Sequence, residues 1–394
     1  MNDPGLPEQQ AAGVPSEGRR PPLVSGSWTA WLASLAPWSA TLFLLGLARS
    51  APAVVEASYS RGAYPQLSWL LSQVSGAWAA LTGSAFRDGV SPSLSELCLL
   101  GLPVAAFRVL RGGWRRGGLA AVARQALALS GGGALLFLLL WGLNYSRLPL
   151  ATSLGLEVTG VSATELDGVA AELEAQLSVE FSAGWEARLG VSPEAALREA
   201  LLAWEEAVER QPVLGRGGGV VVRPALSGGL VRAGISGIFS PFTQEAHVAG
   251  HLPAPDLLFT ACHELAHARG WAREDEANYL AWRVGSRATS SELRAAARLL
   301  TLGHVLAALG RADRGALVAR LEGMDPQVEA AMVARARFWD RERSRTASRA
   351  ASAVNDAYLR SQGQEGVASY GRMVDLLVAE WRAGGGALPA GDPR

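Results

Sequence analysis

Hydrophobic positions are continuous in much of the first third of the chain and periodic in the rest. Two uncharged runs, residues 28–48 and 126–145, have the length of roughly 20 residues that a helix needs to cross a bilayer. A weaker run at residues 92–110 has its only charges, Glu96 and Arg108, near opposite ends, where the arginine can reach the headgroups. We therefore predict three membrane spans, at residues 28–48, 92–110 and 126–145.

A further uncharged stretch, residues 62–86, is rich in Gln and Ser. This composition predicts an interfacial or cavity-lining helix and leaves a fourth span as the alternative. The connection after Leu110 carries arginines and no acidic residue, which indicates a cytoplasmic position. With either number of spans, the chain after Tyr145 then lies outside, and only the side of the N-terminal tail changes. The arginines are Arg111, Arg115, Arg116 and Arg124.

From about residue 149 the pattern becomes that of a water-soluble, mainly α domain. Helices are predicted near Ser162, from Pro193 with Ser192 as its N-cap, and from Pro255 to Trp381. Between them, Val220–Val248 alternates β-branched residues with Gly, Pro and Ser, which predicts a small β-sheet. We expect a membrane domain at residues 28–148, a second domain at 149–383, and disordered tails at 1–27 and 384–394.

Composition supports this division. Hydrophobic residues make up 49% of the chain and charged residues only 18%, which is typical of a protein lying partly in lipid. The 36 basic and 36 acidic residues balance, so the charge does not favour a nucleic acid partner. The two cysteines, Cys98 and Cys262, do not indicate a disulfide framework.

The motif H-E-x-x-H at residues 263–267 is the main candidate for chemistry. On a helix from Pro255 to Arg269, His263 and His267 share one face with Cβ atoms about 5–6 Å apart, so both imidazoles can bind one zinc ion (Zn2+). Glu264 is rotated by about 100° from His263, where it can take a proton from an attacking water. Gly270 is expected to end the helix and let the chain return towards the metal.

A catalytic zinc normally has three protein ligands and one open position, so one more ligand is required. On a helix from about Arg273, Glu274 lies slightly nearer the centre of the apolar stripe than Glu276. Geometry thus favours Glu274 only weakly. Asn278, four residues after Glu274, is a candidate to hydrogen-bond a ligating histidine.

Two other functions compete with a zinc peptidase. A fourth protein ligand, such as Glu276, Cys262 or His247, would close the metal site and make it structural, as in a non-catalytic membrane scaffold or sensor. A hydrolase acting on other bonds is also compatible, because the motif prepares a water for attack without specifying its target.

Several separated stretches resemble, in the same order, a family of uncharacterised bacterial multi-pass membrane proteins regarded as zinc metallopeptidases. They extend over most of the chain from Pro52: ASYSRGAYPQLS, WGLNYSRLPL, GISGIFSPFTQEAHV, HELAHARGWAREDEANYLA and GVASYGRMVDLL. The resemblance implies a protease of the bacterial plasma membrane, with His263 and His267 as ligands and Glu264 as general base. The family itself has no assigned substrate. From the predicted orientation we expect the domain after the spans to be extracytoplasmic and its substrates to be membrane-proximal peptides or proteins.

Glu274 and Asn278 are similar to the E-x-x-x-D pair of the gluzincins, a resemblance that implies Glu274 as the third ligand. His247 stands where similar sequences have Asn, and its role is open. Tyr370 is a candidate oxyanion donor but is better explained as a packed tyrosine, and His304 as a core histidine. The basic stretch Arg335–Arg349 is expected to be a solvated helix face, and an edge of the sheet to be a place for an extended peptide.

Overall fold

The computed structural model describes residues 28–82, 92–182, 193–215, 217–222, 226–364 and 372–389. The predicted N-terminal tail, the Ser192 cap and Tyr370 lie outside these residues. The helices are α1 (Trp28–Ser50), α2 (Pro52–Val54), α3 (Tyr64–Thr82), α4 (Leu94–Leu140), α5 (Leu150–Leu154), α6 (Ala163–Ser182), α7 (Pro193–Arg210), α8 (Ser227–Arg232), α9 (Ala254–Ala268), α10 (Glu274–Gly285), α11 (Ser291–Ala312), α12 (Arg314–Glu322), α13 (Pro326–Glu342), α14 (Arg345–Ser361) and α15 (Met373–Ala383).

The described residues also contain a π-helix at Val55–Ala63 and 3-10 helices at Gly142–Ser146 and Pro212–Leu214. The strands are β1 (Val220–Val222), β2 (Gly237–Ser240) and β3 (Glu245–Val248). They form one sheet in the order β1-β3-β2, in which β1 is parallel and β2 antiparallel to β3. The predicted class, mainly α with a small β-sheet, is confirmed.

The predicted second and third spans both fall within α4. Its backbone is not helical at Gly117 and Gly118, and Gly118 has a φ of +60°. A Cβ on Gly113 would lie 2.0 Å from Oε1 of Gln125, although twelve residues of straight helix would separate these positions by about 18 Å. The chain therefore reverses at the two glycines, within the arginine-rich connection.

Both ends of α4 meet the same part of the protein. At its start, the backbone NH of Ser95 donates to Glu245 on β3 over 2.7 Å. Near its end, the carbonyl of Leu139 accepts from the Tyr59 hydroxyl over 2.8 Å, and Phe137 packs against Phe242 with ring centroids 6.4 Å apart. Thus α4 is a helical hairpin whose turn points away from the sheet.

In the part of the chain that the structure describes, three helices, α1, α4 and α11, are long and apolar enough to cross a membrane. The first two contain the predicted spans and bury only 6% and 11% of their most apolar windows. By contrast, 67% of the window in α11 is buried, because this helix packs against α6 and α9 in the core. The apolar character of α11 thus comes from core packing, and the sequence analysis did not count it as a span.

The stretch predicted as an interfacial or cavity-lining helix, residues 62–86, is described as far as Thr82. Its serines face the sheet: Ser68 donates to Gln244 over 2.7 Å, and Ser75 donates to the Thr243 carbonyl. On its opposite face, large side chains are more than half exposed, among them Trp69 and Val74. The polar side of α3 is therefore inside the protein and its apolar side faces outward.

The core of the second part of the chain surrounds α9. Nearly all side chains of α9 are buried, and α7, α10 and α11 pack around it. On its remaining side lie β2 and β3. Because α9 carries the two histidines, the candidate site is built into a helix that is almost wholly buried.

The C-terminal segment predicted to be disordered from Gly384 is described as far as Pro389. Leu388 is only 4% exposed, and its backbone NH donates to Glu172 on α6 over 2.6 Å. The glycines predicted a frayed end, but the apolar Leu388 finds a place in the core that composition alone does not reveal. Residues 390–394 lie outside the described structure.

Candidate metal centre

A reversed turn brings the two halves of the site together. At the end of α9, Gly270 NH donates to the His267 carbonyl over 2.8 Å, and Trp271 NH donates to the Ala266 carbonyl over 3.2 Å. This is a Schellman motif, and Gly270 has the positive φ of +83° that the motif requires. The predicted helix and its glycine stop are confirmed, and the turn returns the chain so that Glu274 faces α9.

Three side-chain donor atoms converge at this turn. Nε2 of His263 and Nε2 of His267 lie 3.1 Å apart, and Oε2 of Glu274 lies 3.2 and 3.6 Å from them. Ligands about 2.0–2.1 Å from one tetrahedral ion would stand roughly 3.4 Å from each other. His263, His267 and Glu274 can thus hold one metal ion without a large rearrangement.

Hydrogen bonding prepares His267 for this role. Its Nδ1 lies 2.7 Å from the Trp271 carbonyl, so Nδ1 carries a proton and Nε2 is the nitrogen that faces His263 and Glu274. Burial lowers the pKa of His267, but the Glu274 carboxylate outweighs burial and raises it to about 9. A positive charge is therefore favoured at this position.

Glu274 favours its negatively charged form, as His267 favours its positively charged form. Burial disfavours its charge, yet His267 and His263 hold the pKa of this carboxyl well below its usual range. No aligned hydrogen-bond donor for Oε2 of Glu274 exists among the residues that the structure describes. A metal ion between this oxygen and the two imidazole nitrogens would satisfy the buried acceptor better than these poorly aligned contacts do.

Glu264 lies beside the three candidate metal ligands but is not one of them. Burial, together with the nearby Glu274 carboxylate, raises the pKa of Glu264 to about 6, although His263 and His267 act to lower it. Its side chain packs against β2, where a Cβ on Gly237 would lie 2.5 Å from Oε1 of Glu264. Glycine is therefore required at this point of the strand, and the carboxylate is held next to the edge of the sheet.

The other candidate ligands are bonded elsewhere. Oε1 of Glu276 accepts from Leu150 NH over 2.7 Å and from Arg273 over 2.9 Å. His247 has one ring nitrogen 3.1 Å from the Ile238 carbonyl and the other 3.1 Å from Ser93 Oγ. Burial raises the pKa of the Cys262 thiol to about 12, so it remains protonated at neutral pH. In the described part of the chain, the converging group has three members.

Two further expectations have mixed outcomes. Asn278 is buried on α10, but its Nδ2 has no hydrogen-bond partner within the described ranges, so the expected bond to a ligating histidine is not formed. The Trp271 carbonyl has that role instead. His304 lies partly buried on α11 outside the ligand group, and burial together with Arg335 and His263 lowers its pKa to about 4.

The basic stretch Arg335–Arg349 is not wholly a solvated face. Arg335 donates to Asp256 in the first turn of α9 over 2.9 Å, and Trp339 donates to the same carboxylate over 2.9 Å. Other arginines of the stretch, such as Arg341 and Arg349, are exposed as expected. One end of this stretch therefore fixes the start of the helix that carries the histidines.

Residues from the first part of the chain form one wall of the site. The Tyr64 hydroxyl lies 3.5 Å from the His267 carbonyl and 3.3 Å from the Ala268 carbonyl. Trp141, directly after α4, packs edge-on against His267 with ring centroids 5.9 Å apart. Arg147 donates to the Gly270 carbonyl over 3.0 Å. The predicted membrane domain therefore also supports the metal centre.

Two tyrosine hydroxyls lie close to the same wall. Tyr145 and Tyr358 are hydrogen-bonded over 2.9 Å, and their rings pack edge-on at 6.3 Å. Burial raises the pKa of Tyr358, and the nearby Glu274 carboxylate raises it further. The Tyr358 hydroxyl therefore stays protonated at neutral pH, and the pair retains an O–H group that can donate a hydrogen bond.

Sequence reasoning missed these wall residues. Tyr145 lies in WGLNYSRLPL and Tyr64 in ASYSRGAYPQLS. Both stretches resemble the family of membrane proteins, but the resemblance assigns no role to either tyrosine. Tyr358 and Gly237 carry no local signal, because their importance comes from contacts with residues far away in the chain.

Comparison with known proteins adds a family. The model of a family described as a protein of unknown function (DUF3810) matches residues 59–378, about four fifths of the chain. No curated protein and no solved structure matches the chain. The matched range includes α4, the sheet and all three candidate metal ligands.

Proposed function

The chain belongs to the DUF3810 family, and we propose that it is a membrane-anchored zinc metallopeptidase. The observation that carries the proposal is the arrangement of His263, His267 and Glu274 with Glu264 beside them. Three converging donors leave one position of a tetrahedral ion open, as catalytic zinc sites do. The structural-zinc alternative needs a fourth ligand, and Glu276, His247 and Cys262 are held in other interactions or remain protonated.

Zinc fits the donor set. Two imidazole nitrogens and one carboxylate oxygen are ligands that zinc accepts, and their mutual distances of 3.1–3.6 Å suit tetrahedral coordination. A zinc ion bound here would supply Lewis acidity to the reacting water and carbonyl. Residue by residue, His263, His267 and Glu274 would hold the ion.

The protein's own groups would perform the proton transfers. Glu264, with a pKa of about 6, is mostly ionised at neutral pH and can take a proton from the attacking water. As the peptide C–N bond breaks, Glu264 would return that proton to the leaving nitrogen. Gly237 holds the carboxylate close to β2 by allowing the strand to approach without a clash.

The sheet offers a place for an extended peptide. In the order β1-β3-β2, strand β2 is paired on one side only and is partly exposed. A substrate that added beside β2 would gain backbone hydrogen bonds and pass next to Glu264. This position favours an unfolded or flexible peptide segment over a folded surface.

The Tyr145 and Tyr358 pair would donate to the negative charge that develops on the carbonyl oxygen. Donors held by hydrogen bonds and packing need little rearrangement during the reaction, which is the requirement for such stabilisation. Their proximity to Glu274 supports this assignment. They take the role for which Tyr370 was a weak candidate.

We place the enzyme in the bacterial plasma membrane, with the metal centre on the side opposite the arginine-rich turn. That turn is at the far end of α4 from the sheet, and basic loops are usually cytoplasmic. The centre would then be extracytoplasmic. Since Trp141 both follows the membrane hairpin and packs on His267, the substrates would be membrane-proximal peptides or proteins.

The test is metal content and peptide cleavage of the purified full-length protein and its Glu264→Gln variant. We expect both proteins to contain zinc, and the variant to lose about 10²–10⁴-fold in kcat/KM. Asp275→Asn is the matched control, because this buried carboxylate is close in sequence but is not one of the donors. A protein without zinc, or cleavage unchanged in Glu264→Gln, would contradict the proposal.

A further inference from the structure

A cavity of about 350 Å³ lies far from the metal centre, between α1 and the turn of α4. Its lining includes Ser34, Gly113, Arg116, Arg124, Gln125 and Ala128. The helical break at Gly117–Gly118 creates the space, because it folds the second half of α4 back beside the first. The volume is large enough for a polar group of several non-hydrogen atoms and is open to the outside.

The charge around this cavity is positive and lacks acidic counterparts. No Asp or Glu occurs between Glu96 and Glu157, whereas the hairpin carries five arginines near its turn. The guanidinium of Arg124 lies 5.6 Å from the ring centre of Trp31, which holds this side chain at the wall. The five are Arg108, Arg111, Arg115, Arg116 and Arg124.

A second cavity differs from the first in how its arginines are paired. It has a volume of about 390 Å³ and is also lined by arginines, including Arg147 and Arg273. There, Arg147 binds Glu56 over 2.7 Å and Arg273 binds Glu276 over 2.9 Å. Two arginines of the second cavity, Arg147 and Arg273, are therefore neutralised by carboxylates, whereas no carboxylate pairs with Arg116 or Arg124 among the residues that the structure describes.

The first cavity also contains a polar atom without a partner. Oε1 of Gln125 is buried, and no donor for it is present in the described structure. Oε1 of Gln125 would be satisfied by a hydrogen-bond donor, and Arg116 and Arg124 by a negative charge. A ligand that combines the two features therefore fits this cavity. A phosphate diester carrying a hydroxyl-bearing headgroup has both features.

The surroundings of the cavity are suited to lipid chains. Leu32 on α1 is 63% exposed, and Leu119 next to the turn is 73% exposed. Both are on helices apolar enough to cross a membrane. A ligand with its phosphate in the cavity would therefore have apolar surface on which to lay its acyl chains.

We propose that this cavity binds the headgroup of an anionic glycerophospholipid, with Arg116 and Arg124 on the phosphate and Gln125 accepting from the headgroup hydroxyl. Phosphatidylglycerol has this chemistry, whereas phosphatidic acid lacks the hydroxyl and phosphatidylcholine lacks the net charge. Basic pockets between membrane helices on the cytoplasmic side are suited to such headgroups. The site is independent of the metal centre and of its proposed reaction.

The experiment is native mass spectrometry of the full-length protein in neutral detergent, titrated with phosphatidylglycerol. The double variant Arg116→Gln/Arg124→Gln should bind the lipid about thirtyfold more weakly, since each arginine near the surface contributes about one factor of five. The matched control is Arg111→Gln/Arg115→Gln, which removes the same charge from the same turn but leaves the cavity lining intact. Equal weakening in both variants would overturn the proposal, because it would indicate non-specific attraction.

Two further variants keep the test decisive if the double variant misfolds. Ala128→Leu retains every charge and fills the cavity, so it should weaken binding about tenfold; unchanged binding would contradict a site in the cavity. Gln125→Leu should abolish the preference for phosphatidylglycerol over phosphatidic acid, and a retained preference would contradict the role of Gln125. Glycerol phosphate is the probe for a soluble source: displacement of the lipid at equal concentration would overturn the lipid assignment.

Discussion

Among the described residues, buried histidine and glutamate occur together at the candidate metal centre and at the junction between β3 and the start of α4. At the junction, Glu245 accepts from the backbone NH groups of Leu94 and Ser95 over 3.0 and 2.7 Å. Both ring nitrogens of His247 have partners there as well. At the metal centre, by contrast, Glu274 and Glu264 each retain a buried oxygen without a hydrogen-bond partner among the described residues.

The difference separates a cluster whose polar groups satisfy each other from a cluster that could hold a metal ion. A cluster whose donors and acceptors satisfy each other stabilises the fold and needs no ligand. A cluster whose acceptors converge without donors is costly unless something else binds. His247 and His267 are therefore both buried but differ in their surroundings, and substitutions at the two positions should have different consequences.

The largest contrast is expected between His267→Ala and His247→Ala. Loss of His267 removes a metal ligand and should weaken zinc binding by more than about a hundredfold, with loss of cleavage. Loss of His247 should leave zinc stoichiometry unchanged and lower the free energy of unfolding by about 1–3 kcal/mol. Zinc titration and thermal unfolding of the same preparations measure both, and zinc loss in His247→Ala would remove the distinction.

The next effect concerns the donors on the wall of the metal centre. Tyr145→Phe and Tyr358→Phe should each lower kcat by about 10²-fold, because a hydrogen bond to the transition state is lost. The zinc content of both variants should stay the same. Tyr59→Phe is a suitable control, since its hydroxyl binds the Leu139 carbonyl instead. If the control loses as much activity as the two variants, the effect comes from helix packing.

A smaller and graded effect is expected from pH. Glu264 acts as a base only when ionised, and burial raises its pKa to about 6. A bound cation favours the carboxylate, so the acid limb of kcat/KM should lie at or below pH 6. Activity should fall about tenfold for each further pH unit. Zinc content measured at every pH separates this titration from metal loss, and a limb above pH 7 with zinc bound would exclude Glu264 as the group observed.

The smallest effect on the metal centre is expected from Glu245→Gln. This change weakens the hydrogen bonds to the start of α4 and should lower the free energy of unfolding by about 1.5–3 kcal/mol. Zinc affinity should be unchanged. Chemical or thermal unfolding in detergent, with zinc titration alongside, tests both statements, and a fall in zinc affinity would show that the two clusters are coupled.

The sequence predicted the parts of the site that depend on local geometry. His263, His267 and Glu264 follow from helical spacing, and Gly270 from the conformation that ends a helix. Glu274 was favoured over Glu276 by resemblance more than by geometry. The structure brings Glu274 to the histidines because the turn after Gly270 has a fixed shape, which spacing alone does not specify.

Contacts between distant segments could not be predicted in the same way. Tyr64 and His267 are separated by about two hundred residues, and no periodicity connects them. The arginine-rich segment predicts a connection between the second and third spans, but it does not predict that the chain reverses at Gly117–Gly118 or how long the helix is on either side. Leu388 was assigned to a disordered tail because neighbouring glycines dominate the local composition.

The contacts of Arg147 have a practical consequence for work with fragments of this protein. Its guanidinium lies 3.6 Å from the ring centre of Trp271, donates to the Gly270 carbonyl, and pairs with the buried Glu56. A fragment beginning at residue 149, the predicted domain boundary, would lack both charged residues and would expose Trp271. Expression trials aimed at a soluble catalytic fragment should therefore fail unless the segment containing Glu56, Tyr64 and Arg147 is retained or supplied as a separate chain.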